Sequence, residues 1–264
     1  MKNRIDQLFE NKNTKILNLY FTAGYPYLQD TTEIIKSIEA ASADMIEIGI
    51  PYSDPLADGP TIQASGTQAL KNGMSLQLLF EQLADIRQHS QMPILLMGYL
   101  NQVMQFGVDA FIDQCKTVGI DGLILPDLPI DIYEMEYKEA FEKAGLHVIF
   151  LITPQTSEDR IRKIDDLSRG FIYMVSNASI TGAKQGISEN QIQYFERIKN
   201  MNLKNPRLIG FGISNKETFD TACDYAHGAI IGSAFIRALA DANNQLDLTI
   251  KNFIGEVKGQ TIKV

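Results

Sequence analysis

Two carboxylates in the first quarter of the chain have the residue type and spacing for acid–base chemistry. Glu47 lies inside the apolar run Met45–Ile50, and Asp58 follows eleven residues later in the segment LADGP. Burial in a strand raises the pKa of a carboxyl toward neutrality, where it both accepts and donates protons. With Asp58 in different surroundings, the two form a candidate acid–base and charge-stabilising pair. The alternatives are a Glu47 paired to Lys or Arg in a helix layer and an Asp58 that only caps a turn or helix near Pro60.

Two glycine-containing segments late in the chain have the composition of a phosphate site. GFGIS spans Gly210–Ser214, and GSA spans Gly232–Ala234 ahead of the helical pattern FIRALA. Glycine lets backbone N–H groups approach an anion, and a helix N-terminus adds further N–H groups. Such a site needs no net positive charge, so the formal charge of −8 does not exclude it. Ordinary tight turns are the other interpretation.

Several other kinds of site have no support in the sequence. The three histidines, His89, His147 and His227, precede or open apolar runs rather than follow them, which disfavours a multi-histidine metal site. No lysine ends such a run, Lys184 being the nearest, so Schiff-base chemistry is disfavoured. No GxGxxG follows the first run, and no GxxxxGK[ST] occurs. We therefore expect a site without a metal or a cofactor of its own.

Eight short apolar runs are candidate strands that could position these residues. Each is nearly continuous rather than alternating, which is typical of parallel strands buried on both faces. The runs are Ile16–Phe21, Met45–Ile50, Ile94–Met97, Gly122–Leu125, Val148–Ile152, Phe171–Val175, Leu208–Phe211 and Ala229–Ile231.

Helical spacing between the runs predicts an α/β fold. Apolar residues recur at helical intervals in Ile34–Ala41, Leu76–Ile86 and Ala110–Val118. Eight strand–helix units fill the chain evenly, with no linker between halves, so we predict one (β/α)8 TIM barrel over residues 1–264 with an extra N-terminal helix. A doubly wound open sheet is the competing architecture. In a barrel, catalytic residues lie at the C-terminal ends of strands, and the loops after the seventh and eighth strands bind phosphate.

Two connections are longer or more polar than a simple turn. The loop after Ile50 begins PYSDPLADGPTIQ, and Asp54 within it is interpreted as a turn or partner-contact residue. The segment SNASITGAKQGISEN after Val175 is small and polar, as a mobile lid would be. Long loops in compact domains usually carry function, so both are expected near the site.

Composition limits the class of protein. Hydrophobic residues make up 45% and charged residues 21%, which is typical of a folded globular chain. The acidic charge disfavours nucleic acid, and the polar N-terminus and the lack of a long apolar stretch predict a cytoplasmic protein without membrane association. These features favour carboxylate chemistry on a small phosphorylated substrate. They leave an isomerase and a carbon–carbon lyase equally open.

The block EIGIPYSDPLADGPTIQ, Glu47–Gln63, resembles the signature of the tryptophan synthase alpha subunit family. FTAGYP, PDLP, ITG, GFGIS and GSA occur in that family's order, so the resemblance covers essentially the whole chain. It implies a (β/α)8 barrel that cleaves indole-3-glycerol phosphate to indole and glyceraldehyde 3-phosphate. Glu47 matches the family's acid–base residue. Asp58 matches the carboxylate that accepts the indole N–H and stabilises positive charge on the ring.

The resemblance also implies roles for other residues. Thr181 matches a lid residue that closes on Asp58, and Tyr173 places a hydroxyl near Glu47. Core packing for Tyr173 and a strand-end hydrogen bond for Thr22 are equally good interpretations. The phosphate would be bound at Gly182, Gly212, Gly232 and Ser233. The remaining substrate-binding and pocket candidates are Thr22, Tyr20, Met97, Tyr99, Leu125 and Ile152.

In that family a beta subunit with its own pyridoxal phosphate uses the indole, so the resemblance implies an α2β2 partner and no cofactor in this chain. Pro51, Asp54 and Pro55 match the loop that contacts this partner. The chain departs from the family pattern at Asn177 and Ser179 in the lid and at Tyr20 in the pocket, where Arg, Gly and Phe are common. A partner-independent indole-releasing paralogue, another phosphosugar barrel enzyme and a mainly activating subunit are the alternatives.

Overall fold

The computed structural model describes residues 2–56, 58–176, 187–210, 212–243 and 245–260. In these ranges nine parallel strands form one sheet in the order β5-β4-β3-β2-β1-β9-β8-β7-β6. The strands are β1 (Ile16–Thr22), β2 (Met45–Gly49), β3 (Ile94–Met97), β4 (Gly122–Ile124), β5 (His147–Ile149), β6 (Leu151–Ile152), β7 (Ile172–Val175), β8 (Arg207–Gly210) and β9 (Gly228–Ile231).

The ends of this sheet meet within one stretch of chain, which closes it into a barrel. β5 pairs with β4 at one end of the sheet, and β6 pairs with β7 at the other end. Phe150 is the single residue between β5 and β6. The carbonyl of Phe150 accepts a hydrogen bond from the Tyr173 amide at 3.0 Å. β5 and β6 therefore act as one barrel strand that changes partner at Phe150. The eight predicted strands are confirmed with bounds within one residue, and the open-sheet alternative is wrong.

Helices follow the strands around the barrel, and one precedes them, as predicted. They are α1 (Arg4–Asn11), α2 (Thr31–Ala40), α3 (Pro60–Lys71), α4 (Leu76–Leu83), α5 (Leu100–Phe106), α6 (Val108–Val118), α7 (Ile130–Ile132), α8 (Lys138–Lys143), α9 (Glu158–Leu167), α10 (Glu189–Asn200), α11 (Lys216–Tyr225), α12 (Ser233–Ala240) and α13 (Leu246–Lys258). A 3₁₀ turn spans Ile86–Gln88, and a π-helical turn spans Tyr133–Tyr137. In the described chain no helix is long and apolar enough to cross a membrane.

The strands separate two apolar layers because successive side chains point to opposite faces. Ile16, Met45, Leu95 and Ile124 belong to the cluster inside the barrel. The intervening residues, such as Ile46 and Ile48, pack against the helices in a larger cluster. Burial on both faces explains why the strands have nearly continuous apolar sequences.

Helix α1 closes the N-terminal end of the barrel. Ile5 is fully buried and belongs to the interior cluster. The Asn3 side chain caps α1 and donates hydrogen bonds to the carbonyls of Asp121 and Gly145, each at 2.8 Å. Arg4 donates to the buried Asp121 carboxylate at 3.0 Å. This closure leaves the C-terminal end of the barrel for a binding site.

Replacement of Ile5 tests how much this closure stabilises the barrel. Ile5→Ala should lower the free energy of unfolding by about 2–5 kcal/mol, because it leaves a cavity under the interior core. Urea denaturation measures the change. The exposed Glu10→Ala variant on the same helix should differ from wild type by less than about 1 kcal/mol. Equal stability of Ile5→Ala and wild type would show that α1 is only peripheral.

Candidate active site

Glu47 lies inside the barrel, on β2 between Tyr20 of β1 and Leu95 of β3. Its side chain is fully buried, and the Asn18 amide donates a 2.6 Å hydrogen bond to Oε1. Oε2 is buried and has no hydrogen-bond partner among the described residues. Burial raises the pKa of Glu47 to about 8, although the Asn18 hydrogen bond acts to lower it. The alternative in which Glu47 faces the helix layer and pairs with Lys or Arg is wrong.

The Tyr20 ring lies over Gly49, two residues beyond Glu47 on the same face of β2. A Cβ at Gly49 would overlap the Tyr20 phenol, so only glycine fits beside this ring. Burial, and then the charges of Asp58 and Glu47, raise the pKa of Tyr20 far above its usual value, while a hydrogen bond with Thr22 lowers it. Tyr20 therefore stays neutral and lies within electrostatic reach of both carboxylates.

Tyr173 has the same arrangement on the other side of the interior. A Cβ at Gly210 of β8 would overlap the Tyr173 phenol. Burial raises the pKa of Tyr173 well above its usual value, and the charge of Glu47 is the next contribution. The Tyr173 phenol therefore stays neutral and lies within electrostatic reach of Glu47.

Asp58 lies in the loop between β2 and α3 and does not cap the helix. Gly59 is the N-cap of α3 with no side-chain cap bond, and Pro60 occupies the first turn. The Asp58 carboxylate instead accepts a 3.3 Å hydrogen bond from the Tyr99 hydroxyl. Burial raises the pKa of Asp58, and the Tyr99 hydrogen bond opposes this rise. The loop ends at Gly59, so the predicted loop residues PTIQ belong to the first turn of α3.

Two of the predicted phosphate-binding segments lie in the expected loops. Gly212 follows β8 and has φ +82°, a backbone conformation that favours glycine. Gly232 follows β9 and is the N-cap of α12, whose first residue is Ser233. A Cβ at Gly232 would lie 3.5 Å from Tyr20 Cδ1, so this helix start adjoins the Tyr20 ring. Thr181 and Gly182, together with Asn177, Ser179 and Lys184, lie outside the described residues.

Other predicted site residues have structural contacts. Thr22 Oγ1 lies 2.7 Å from Ser65 Oγ of α3 in a buried strand-end hydrogen bond. Ile152 pairs with Met174 and packs in the layer between strands and helices, as does Leu125. The pocket predictions for Ile152 and Leu125 are therefore wrong. Their neighbours Leu151 and Ile124 pack in the interior cluster instead.

The loop predicted to contact a partner is exposed only in part. Pro51 is buried, and its carbonyl accepts a 2.9 Å hydrogen bond from Gln102. Asp54 is exposed, Pro55 is half-buried, and Leu56 has 88% of its surface exposed. Leu56 is a residue that the sequence reasoning missed, and its signal was an aliphatic side chain within a Pro- and Asp-rich loop.

Comparison with known proteins identifies the family. The sequence model described as the tryptophan synthase alpha chain matches residues 7–261. The chain belongs to the tryptophan synthase alpha chain family. It is 58% identical to the alpha chain of Flavobacterium johnsoniae over 97% of this chain and 100% of that one, and 54% identical to the alpha chain of Bacteroides fragilis over 92% of each.

Solved structures agree with this assignment. A tryptophan synthase complex from Pyrococcus furiosus matches with a TM-score of 0.85 and 33% identity, covering 94% of this chain and 99% of that chain. A tryptophan synthase from Mycobacterium tuberculosis matches with a TM-score of 0.87 and 29% identity over 98% of each chain. The resemblance and the barrel prediction are therefore confirmed.

The alpha chain of tryptophan synthase is a carbon–carbon lyase of tryptophan biosynthesis. It cleaves indole-3-glycerol phosphate, and the indole passes to the beta subunit, to which pyridoxal phosphate belongs in this family. The choice between an isomerase and a lyase, which the residues alone left open, is settled in favour of the lyase.

Sequence reasoning missed three positions in the barrel interior of this alpha chain. Asn18 interrupts an apolar run as Glu47 does, and that polar interruption was a readable signal. Gly49 and Gly210 end their strands, and nothing in either segment indicates a tyrosine from the neighbouring strand. Their function depends on strand register, which the sequence alone does not give.

The glycine opposite Tyr20 should be intolerant of a side chain. Gly49→Ala forces the Tyr20 ring out of its place over Gly49. We therefore expect kcat/KM for indole-3-glycerol phosphate cleavage to fall at least about tenfold, which corresponds to about 1.4 kcal/mol. Gly66→Ala on α3 is the matched control, because its Cβ would meet nothing within 4 Å. That control should keep full activity, and unchanged kinetics in Gly49→Ala would show that the ring position is unimportant.

Proposed function

We propose that Glu47 is the general acid and base of indole-3-glycerol phosphate cleavage in this chain. Its burial, its pKa of about 8 and an Oε2 without a hydrogen-bond partner in the described chain support this role. A group with a pKa near the working pH takes and returns protons at comparable cost. This buried and titratable carboxyl is the observation that carries the proposal.

The cleavage requires two proton movements and one broken carbon–carbon bond. Glu47 delivers a proton to the indole ring carbon that bears the glycerol chain, which places positive charge on the ring. The ionised Glu47 then accepts the proton of the adjacent glycerol hydroxyl. The oxygen forms the aldehyde carbonyl, and the electron pair of the carbon–carbon bond neutralises the ring. Glu47 ends the cycle protonated, as it began.

Asp58 would stabilise the charge that develops on the ring. In our proposal its carboxylate accepts the indole N–H, so the negative charge lies close to the nitrogen that becomes cationic. The Tyr99 hydroxyl donates to Oδ2, which supports the ionised form and fixes the side chain. Tyr173 and Tyr20 would line the space around the reacting centre, with the Tyr20 ring beside Gly232.

The phosphate would bind at the loops after β8 and β9. Backbone N–H groups of Gly212, Gly232 and Ser233 are candidates, since Gly232 and Ser233 form the start of α12. Gly182 would add another N–H group, with the Ser233 side chain assisting, and Thr181 would close a lid over Asp58. The Thr22 hydroxyl, which is hydrogen-bonded to Ser65, would help to position Tyr20 through a second hydrogen bond.

The exposed part of the loop after β2 would contact the beta subunit. Asp54, Pro55 and Leu56 offer an acidic and an apolar surface close to Asp58, whereas buried Pro51 would shape the loop. Binding of the beta subunit at this loop would affect Asp58 through the few residues that separate it from Leu56. We propose an α2β2 assembly of single-domain chains over residues 1–264. We also propose that this chain acts in the cytoplasm without a cofactor of its own and without binding nucleic acid.

The proposed role of Glu47 predicts a large loss of activity on neutral replacement. Glu47→Gln should lower kcat for indole release by about 10²–10⁴-fold, because the amide cannot transfer the proton. The assay uses purified chain with the beta subunit and indole-3-glycerol phosphate. Glu33→Gln, the same change on the exposed face of α2, is the control and should keep wild-type rates. A wild-type rate in Glu47→Gln would contradict the assignment.

The proposed role of Asp58 predicts a loss that depends on charge rather than shape. Asp58→Asn keeps the side-chain size but removes the negative charge, so kcat should fall about 10²-fold or more. Steady-state kinetics with the beta subunit present measure this fall. The exposed Asp109→Asn change on α6 should leave kcat unaltered. Normal turnover of Asp58→Asn would reduce Asp58 to a loop residue.

A further inference from the structure

Asn18 is a buried amide within a layer of apolar side chains. The strand register places it opposite Met45 of β2 and Ile230 of β9. Asn18 is fully buried, and its Oδ1 has no hydrogen-bond partner among the described residues. A buried polar atom without a partner costs stability, so apolar packing does not explain an amide here. Among the described residues its side chain makes a 2.6 Å hydrogen bond from Nδ2 to Glu47 Oε1.

An amide can pair with a carboxyl group in both of its protonation states. The NH₂ group donates to an ionised carboxylate, and it also donates to the carbonyl oxygen of a carboxyl whose proton is on its other oxygen. An arginine or lysine at this place would favour only the charged form of Glu47, and an aliphatic residue would pair with neither form.

We propose that Asn18 is a positioning residue for Glu47. Its Nδ2 donates to Oε1 both when the carboxyl is ionised and when it carries its proton on Oε2, because Oε1 is then the carbonyl oxygen and still accepts. The carboxyl group thereby keeps one orientation while Oε2 exchanges protons with the substrate. This inference rests on the proposed role of Glu47 and adds the residue that keeps the group aligned through the proton cycle.

Other groups near Glu47 do not supply this function. Tyr20 of β1 and Tyr173 of β7 lie within electrostatic reach of Glu47. The charge of Asp58 in the β2–α3 loop also raises the pKa values of these two tyrosines. Both phenols stay neutral because their pKa values are raised far above the usual range. Burial and Asn18 are the influences on the pKa of Glu47. Asn18 is therefore the neighbour whose loss should move the titration of Glu47.

The experiment replaces Asn18 with leucine, which has a similar size and no polar atoms. Loss of a hydrogen bond to the charged form should raise the pKa of Glu47 by about one to two units. The limb of the kcat–pH profile that Glu47 controls should move upward by the same amount, while KM changes little. Asn18→Val is a second variant with high strand propensity. Ile230→Val, a neighbouring change without a polar atom, should leave the profile in place.

An independent readout separates this proposal from the proposed role of Glu47. The carboxyl C=O stretch of Glu47, assigned as the infrared band absent from Glu47→Gln, is titrated in wild type and in the Asn18 variants. A higher pKa of this band in both Asn18 variants, but not in Ile230→Val, supports the proposal. An unchanged pKa of the band in the Asn18 variants overturns the proposal even if Glu47→Gln is inactive. A raised pKa of the band together with an active Glu47→Gln overturns the catalytic role of Glu47, while the effect of the Asn18–Glu47 hydrogen bond stays established.

Discussion

The burial of Glu47 without a cationic partner among the described residues is the constraint on which the site depends. Desolvation disfavours the charged form of a carboxyl, and in the part of the chain that the structure describes the neutral Asn18 amide compensates. The surrounding layer must therefore be dry and closely packed, which requires a closed barrel and a helix plug beneath it. Ile5 of α1 supplies that plug by completing the interior cluster from the N-terminal end. The raised pKa of Glu47 is thus a property of the whole interior.

Glycines at the ends of two strands show what this interior costs the sheet. Glycine weakens a strand because it loses more conformational freedom on folding and has no side chain to pack. Gly49 and Gly210 occupy such positions because tyrosine rings from the neighbouring strands fill the space where their Cβ atoms would lie. Two aromatic rings thereby border the carboxyl, and the apolar layer between strands and helices provides the compensating stability.

The sequence was sufficient for the strands and for the two carboxylates, because each depends on local composition. Apolar runs identify buried strands, and an interrupting Glu47 or a Pro- and Asp-rich loop around Asp58 is visible in one segment. Contacts between distant segments could not be predicted from the sequence. The Tyr20–Gly49 contact depends on strand register, and the Tyr99–Asp58 hydrogen bond depends on how the loop folds. Ile152 was assigned to the wrong face because a strand buried on both sides has no alternation to read.

The two ends of the barrel use carboxylates in opposite ways. At the closed end, Asp121 is bound by the guanidinium groups of Arg4 and Arg87 at 3.0 and 2.7 Å, and it braces α1 against the strands. At the open end, Glu47 and Asp58 are bound by an amide and a phenol. A cationic partner favours one charge state, whereas a neutral partner leaves both accessible. Partner chemistry, rather than burial alone, therefore distinguishes the structural carboxylate from the pair proposed for proton transfer and charge stabilisation.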